Sequence, residues 1–471
     1  MKPGDRRAHG LPDRRADLPD RMAHALPDRR SLDLAAGLGE LGCRALLVVA
    51  QSASDPDLAP FLGARAHLGA ALLVAPREGR PRLAYLNPME RDEAAATGLL
   101  LVTPEELEVL RAAREAPEPA AHLAWVMSRA LAASGVAPGR VALAGLAPAG
   151  EIHSACAALA RQGWEWVAGN ELVRLVRKRK TAPEVAAIRH AADAAVNVMR
   201  ALAARVAAAR VADPGGAGAG ALDPRAAKSP APAPAAAAAP GAGGELWLDG
   251  RPLTVGRLRA EAARFLADRG VEQPHGNILA PGGEGGVPHS AGSDGRPLRA
   301  GEPFIVDLFP RGAWRERPLM FADCTRTLCA GEPPPAVARA HAAVLRALAA
   351  ARALAVPGAR GWDLQEAVCL TFEEAGYATP LRQPGTTTGY VHNLGHGIGY
   401  ELHELPIFRK VAGAEGVLAE GDVFTLEPGL YDAAAGYGVR LEDLCYLGPD
   451  GLEVLTPLPY DLDPRRWTQD P

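Results

Sequence analysis

Cysteine is sparse and dispersed in this sequence. Six residues in 471, at Cys43, Cys156, Cys324, Cys329, Cys369 and Cys445, form no CxxC pair and no dense framework. That argues against a disulfide scaffold and against a zinc ribbon, and scattered thiols fit a reducing compartment. Long apolar runs are missing too. No uncharged apolar stretch reaches about 18 residues, and the N-terminus lacks the apolar run of a signal peptide. Neither sign of charge dominates. The formal net charge is −4, so nothing points to a polyanionic partner. The expectation is a soluble cytoplasmic protein with neither a nucleic-acid nor a membrane partner. Hydrophobic residues at 48% and charged residues at 23% are ordinary globular usage. The length suggests two to three domains at about 100–200 residues each.

The first 30 residues repeat a short phrase: Leu11-Pro12-Asp13-Arg14, Leu18-Pro19-Asp20-Arg21 and Leu26-Pro27-Asp28-Arg29. Proline and charge dominate and no buried face can be drawn, so residues 1–30 are read as a disordered tail. An α/β pattern follows over residues 31–173. Arg44–Ala50, Ala71–Ala75, Arg82–Leu86 and Val141–Gly145 read as buried strands. Helices are expected over Pro104–Arg114 and Ala120–Ser134. The basic run Arg174–Lys180 reads as a solvated linker, with nucleic-acid contact as its alternative. Thr181 with Glu184 three residues on is a helix start, and that helix should reach about Arg210. Residues 213–244 are rich in Ala, Pro and Gly and cannot bury a face, which makes them a surface insert. A helix from Thr254 to Arg269 resumes the order. The unit from 174 to 471 mixes strands and helices.

Two signals in that unit carry chemistry. Acids interrupt apolar strands at Asp307, Asp323, Glu427 and Glu442. An acid in such a setting is costly unless it is paired, hydrogen-bonded or metal-bound. Three of the twelve histidines, His392, His396 and His403, fall within twelve residues. Glycines flank His396 and let backbone approach a site closely. Two Asp, two Glu and one His supply enough hard oxygen plus one imidazole for two divalent ions. Ions roughly 3.5–4 Å apart can share a water, lower its pKa and clamp a tetrahedral intermediate.

The segment from His289 to Glu442 resembles the pita-bread metallopeptidases, in the aminopeptidase P and prolidase branch. The shared phrases are Asp-Cys-Thr-Arg-Thr (323–327), His-Gly-Ile-Gly with His-Glu-Leu-Pro (396–399, 403–406), Leu-Glu-Pro-Gly-Leu-Tyr (426–431) and Arg-Leu-Glu-Asp (440–443). The resemblance implies an N-terminal α/β domain joined to a pseudo-two-fold α+β catalytic domain with a curved antiparallel sheet. It implies that Asp307, Asp323, His396, Glu427 and Glu442 hold two metal ions, with Asp323 and Glu442 bridging them. Manganese is the first candidate, ahead of cobalt, zinc or iron. By the same resemblance His289, His392 and His403 bind substrate and stabilise the tetrahedral intermediate. Glu427 also shuttles a proton, and Arg440 supports the bridging Glu. The implied reaction is cleavage of the peptide bond before proline by a metal-bridging hydroxide, in a homodimer acting on proline-containing peptides.

Two departures from the family pattern stand out. Fifteen residues, Leu308 to Ala322, separate the first two acids, a longer connection than is usual. The first acid sits in Asp307-Leu308-Phe309 rather than Asp-x-Gly. Both bear on specificity and leave the donors in place. The rival readings are a metal-free hydrolase of the creatinase kind and a non-catalytic interaction protein on the same fold.

Overall fold

The structure is a computed structural model that describes residues 28–63, 66–211, 243–313 and 317–468. Helix α1 (Asp28–Glu40) leads into six strands: β1 (Ala45–Ala50), β2 (Ala71–Pro76), β3 (Arg82–Tyr85), β4 (Leu100–Val102), β5 (Arg140–Ala144) and β6 (Glu165–Ala168). They form one sheet in the order β4-β3-β2-β1-β5-β6. Central β1 pairs antiparallel with β2 and parallel with β5. Its unbroken apolar run follows from burial on both faces: Leu46 and Val48 enter one core, Leu47 and Val49 the other.

Helix α2 (Asn170–Lys178) connects this sheet to the second unit. There α3 (Ala182–Ala208) and α4 (Val255–Ala267) pack on three antiparallel strands, β7 (Asn277–Pro281), β8 (Pro303–Leu308) and β9 (Cys324–Cys329). Val198, Leu202, Leu258, Val306 and Leu308 share their core. The pattern then repeats. Helices α5 (Pro335–Leu354) and α6 (Gly361–Glu374) pack on β10 (His396–Gly397), β11 (Glu404–Ile407), β12 (Val423–Leu426), the hairpin β13 (Gly429–Asp432) and β14 (Tyr437–Arg440), β15 (Asp443–Gly448) and β16 (Gly451–Val454). Five of these strands form a sheet in the order β11-β10-β12-β15-β16. Val344, Leu364, Val368, Phe424 and Leu426 fill the second core. Two halves, each with a helix pair, antiparallel strands and its own core, make the α+β pita-bread architecture that the resemblance implies. The halves meet where the Glu442 amide donates to the Thr325 carbonyl at 3.0 Å.

Several local expectations need correction. The tail expected over 1–30 lies outside the described residues up to 27, but α1 begins at Asp28 and Arg30 is buried. The expected helix Pro104–Arg114 is a series of turns as far as Glu108, whose φ of 54° breaks the helix; it runs Val109–Glu115 instead. The basic run is not a solvated linker. Its first five residues belong to α2, and Arg177, Lys178 and Lys180 are buried. The helix start at Thr181 holds, with its amide donating to Glu184 Oε2 at 2.8 Å. The insert expected over 213–244 lies outside the described residues apart from Gly243 and Gly244.

Candidate metal centre

Of the four acids read as strand residues, only Asp307 lies within a strand, on β8 opposite Thr325 of β9. Asp323 precedes β9, Glu427 follows β12, and Glu442 sits between β14 and β15. Strand ends suit this better than strand interiors, because the carboxylates can converge on the seam while the apolar stretches stay in the two cores. His396 opens β10, beside β12.

The fold brings all nine sequence-derived residues to the wall of one cavity of about 640 Å³: His289, Asp307, Asp323, His392, His396, His403, Glu427, Arg440 and Glu442. Asp323, His396 and Glu442 each offer a donor atom within 4.8 Å of the others'. His396 Nε2 lies 3.6 Å from Glu427 Oε1 and 3.8 Å from Asp323 Oδ2. The imidazole is oriented from behind: its Nδ1 is 3.0 Å from the Gly397 carbonyl, so Nδ1 carries the proton and donates. Nε2 is therefore a bare lone pair facing two carboxylates. Burial, with His403 adding to it, lowers the pKa of His396 to about 3. The ring therefore stays uncharged at neutral pH.

The acids are equally strained by their company. Burial raises Glu442 to about 8, with Asp307 adding to the shift. Burial also carries Asp323 well above the carboxylate range, helped by Glu442, Asp307 and Glu427. Glu427 is raised well above its ordinary value by burial and by Glu442. Among the described residues, Asp307 Oδ1 and Asp323 Oδ1 are buried without a hydrogen-bond partner. Buried acceptors without donors are costly. Clustered carboxyl groups that disfavour one another's charge, beside one imidazole lone pair, are a donor set that fits hard divalent cations. Asp307, Asp323, His396, Glu427 and Glu442 could hold them.

A hydrogen-bonded frame fixes these donors. Arg440 donates to Asp307 Oδ2 at 2.6 Å, to the Tyr431 hydroxyl at 3.0 Å, to Thr325 Oγ1 at 3.2 Å and to the Pro288 carbonyl at 3.2 Å. Thr325 in turn donates to Glu442 Oε2 at 2.8 Å. Arg440 thus touches the first acid directly and reaches Glu442 through Thr325. Tyr431 also stands 2.9 Å from His392 Nε2. His392 Nδ1 donates to the Asn393 carbonyl, so Nε2 accepts the tyrosine proton. Behind Glu442, buried Arg326 donates to its carbonyl at 2.6 Å and to Asp443 Oδ1 at 2.9 Å. Sequence reasoning gave no role to Thr325, Arg326 or Tyr431. A signal existed for the first: Asp323, just before β9, and Thr325 and Thr327 within it recur every second residue, the spacing of one strand face.

His403 projects from the turn before β11, its ring centroid 4.2 Å from that of His396. Burial lowers its pKa, with His289 and His275 contributing. His275 was also missed; it lines the cavity and stacks on Phe321 at 5.5 Å. Pro288, Ile278, Phe309 and Leu402 give the cavity apolar wall.

Comparison with known proteins agrees with this construction. A probable dipeptidase PepE of Mycobacterium tuberculosis is 34% identical over 214 residues, covering 45% of this chain and 52% of that protein. A Xaa-Pro dipeptidase of Pyrococcus furiosus is 32% identical over 209 residues, covering 43% and 55%. The chain therefore spans about half the length of the curated relatives it matches. In three dimensions it is similar to the prolidase of Pyrococcus horikoshii, with a TM-score of 0.64 at 20% identity over 92% of this chain and 100% of that one. It is also similar to an X-Pro aminopeptidase of Thermotoga maritima, with a TM-score of 0.60 at 20% identity over 92% and 98%. At such identities the structural likeness speaks for the fold. The pattern of metallopeptidase family M24 matches residues 186–449, more than half of the chain and both halves of the seam, and the chain belongs to that family.

Proposed function

We propose that this protein hydrolyses the peptide bond before proline in Xaa-Pro peptides, using two divalent ions held by Asp307, Asp323, His396, Glu427 and Glu442. The observation that carries this reading is the bare Nε2 of His396 facing Asp323 and Glu427 beside carboxylate oxygens without donors. Asp323 and Glu442 are the candidates for sharing both ions, and manganese is the first candidate metal. When bound, such a pair lowers the pKa of water and polarises a carbonyl.

The chain's own residues have the following tasks. His403 is uncharged but keeps one N–H, which it can donate to the oxygen of the scissile carbonyl as negative charge develops there. Glu427 carries a proton to the proline nitrogen as that bond breaks. His289 and His392 line the substrate space, and the Arg440–Tyr431–His392 chain holds the His392 ring in one orientation. The amide before proline carries no N–H, so its cleavage site needs no backbone acceptor for one. Apolar Pro288, Ile278, Phe309 and Leu402 suit the ring that replaces it. A homodimer in the cytoplasm completes the reading.

The test is hydrolysis of Xaa-Pro and Xaa-Pro-Yaa peptides after reconstitution with manganese, cobalt, zinc or iron. Metal-dependent release of the residue before proline is expected. Stoichiometric metal binding with no cleavage of either peptide class would refute the substrate assignment.

A further inference from the structure

The basic run that looked like a linker contains Arg177, one of the largest fully buried side chains in the protein. It sits at the junction of the two units and touches two separate pieces of chain. On the N-terminal side its guanidinium donates to the Pro56 carbonyl and lies 3.9 Å from Asp57 Oδ1. Asp57 is itself fixed, accepting from the Gly145 amide at 3.0 Å and the Asn170 side chain at 2.6 Å. On the catalytic side Arg177 donates to Glu401 and pairs with Glu404 at 3.4 Å. Those two acids stand on either side of His403.

The turn between them is tightly built. The Gly399 amide donates to the Glu401 carbonyl at 3.1 Å, and the Gly399 carbonyl accepts from the Phe321 amide, two residues before Asp323, at 2.8 Å. A side chain at Gly399 would collide with Glu404 and Lys180. Lys180 already holds Glu404 at 2.6 Å, and Lys178 pairs with Asp422. What Arg177 adds is Glu401, whose side chain is 37% exposed and would otherwise turn to water.

We propose that Arg177 is a positioning residue: it ties Glu401 and Glu404 to the N-terminal unit and thereby sets the place of His403 over the reaction site. A shift of the N-terminal unit would pass to His403 through one guanidinium. The claim that this affects turnover rests on the peptidase reading above.

The test uses the full chain loaded with manganese. Arg177→Met removes the fork while leaving Glu404 its lysine. Glu401→Gln removes only the half-exposed end and should leave folding unaffected. Each should raise hydrogen exchange in residues 399–404 with exchange in α3 unchanged. Each should lower kcat for an Xaa-Pro peptide about 10- to 100-fold, the scale of a misplaced catalytic group, with KM and metal content near wild type. In a His403→Ala background neither should lower kcat further. Unchanged exchange in 399–404, or equal losses of kcat with and without His403, would overturn the proposal. If the wild type cleaves no Xaa-Pro peptide, the peptidase reading fails, and the exchange comparison alone decides whether Arg177 orders the turn.

Discussion

Replacing Arg440 by methionine keeps much of the side-chain volume and deletes four hydrogen bonds, to Asp307, Tyr431, Thr325 and the Pro288 carbonyl. Thr325 and Tyr431 retain other partners in Glu442 and His392. Asp307 does not: its second oxygen already has no donor among the described residues, and the residue is 7% exposed. The dominant loss is therefore a buried carboxylate left without its cation, a cost of about 3–5 kcal/mol. This cost should depend on metal. With EDTA present, Arg440→Met should lower the urea-unfolding free energy by that full amount. With manganese bound, a second cation faces Asp307 and the loss should fall to roughly half or less, since attraction to the ion replaces attraction to the guanidinium. Arg440→Lys should recover part of the EDTA value, because an ammonium can reach one partner but cannot span four. Equal losses with and without manganese would refute the assignment of Asp307 as a metal donor.

Other outcomes follow from the same frame. His396→Ala should lose metal and activity together, whereas His403→Ala should keep its metal and lose about 10²–10³ in kcat; metal analysis beside kinetics checks this, and metal loss in the His403 variant would exchange the two roles. Trimming residues 213–244 should leave peptidase activity and melting temperature nearly unchanged, since flexible insertions cost little loop entropy; a folded but inactive deletion variant would show that the insert serves the site. Glu184 supplies a pH test. Burial opposes its charge, but two hydrogen bonds from Arg30, one from Tyr400 and one from the Thr181 amide outweigh burial and lower its pKa below the ordinary 4.5. A lowered carboxylate stabilises the fold above its unfolded pKa and loses that contribution as pH falls through the folded value. The stability gap between wild type and Glu184→Gln should thus narrow from pH 5 to pH 3 in urea titrations; a constant gap would mean that Glu184 is not the titrating group.

What the sequence by itself determined is what short-range physics encodes. The apolar runs of β1, β2, β3 and β5 are visible because strands buried on both faces must be apolar throughout. The start of α3 is visible because a capping box acts over three residues. The four candidate acids are visible because charge inside apolar sequence is anomalous at its own position, and His396 because it lies in a histidine cluster with a glycine on each side. The tertiary structure decided whatever depends on a distant partner. Glu184 reads as a cap, yet its charge is met by Arg30, 154 positions away. Arg177 reads as part of a solvated run, yet it is buried against Glu401, 224 positions on. Arg440 reaches Asp307 across 133 positions, and Thr325 reaches Glu442 across 117. A lone arginine in sequence looks the same whether it faces water or a carboxylate, because the sign of its contribution is set by what packing brings opposite to it.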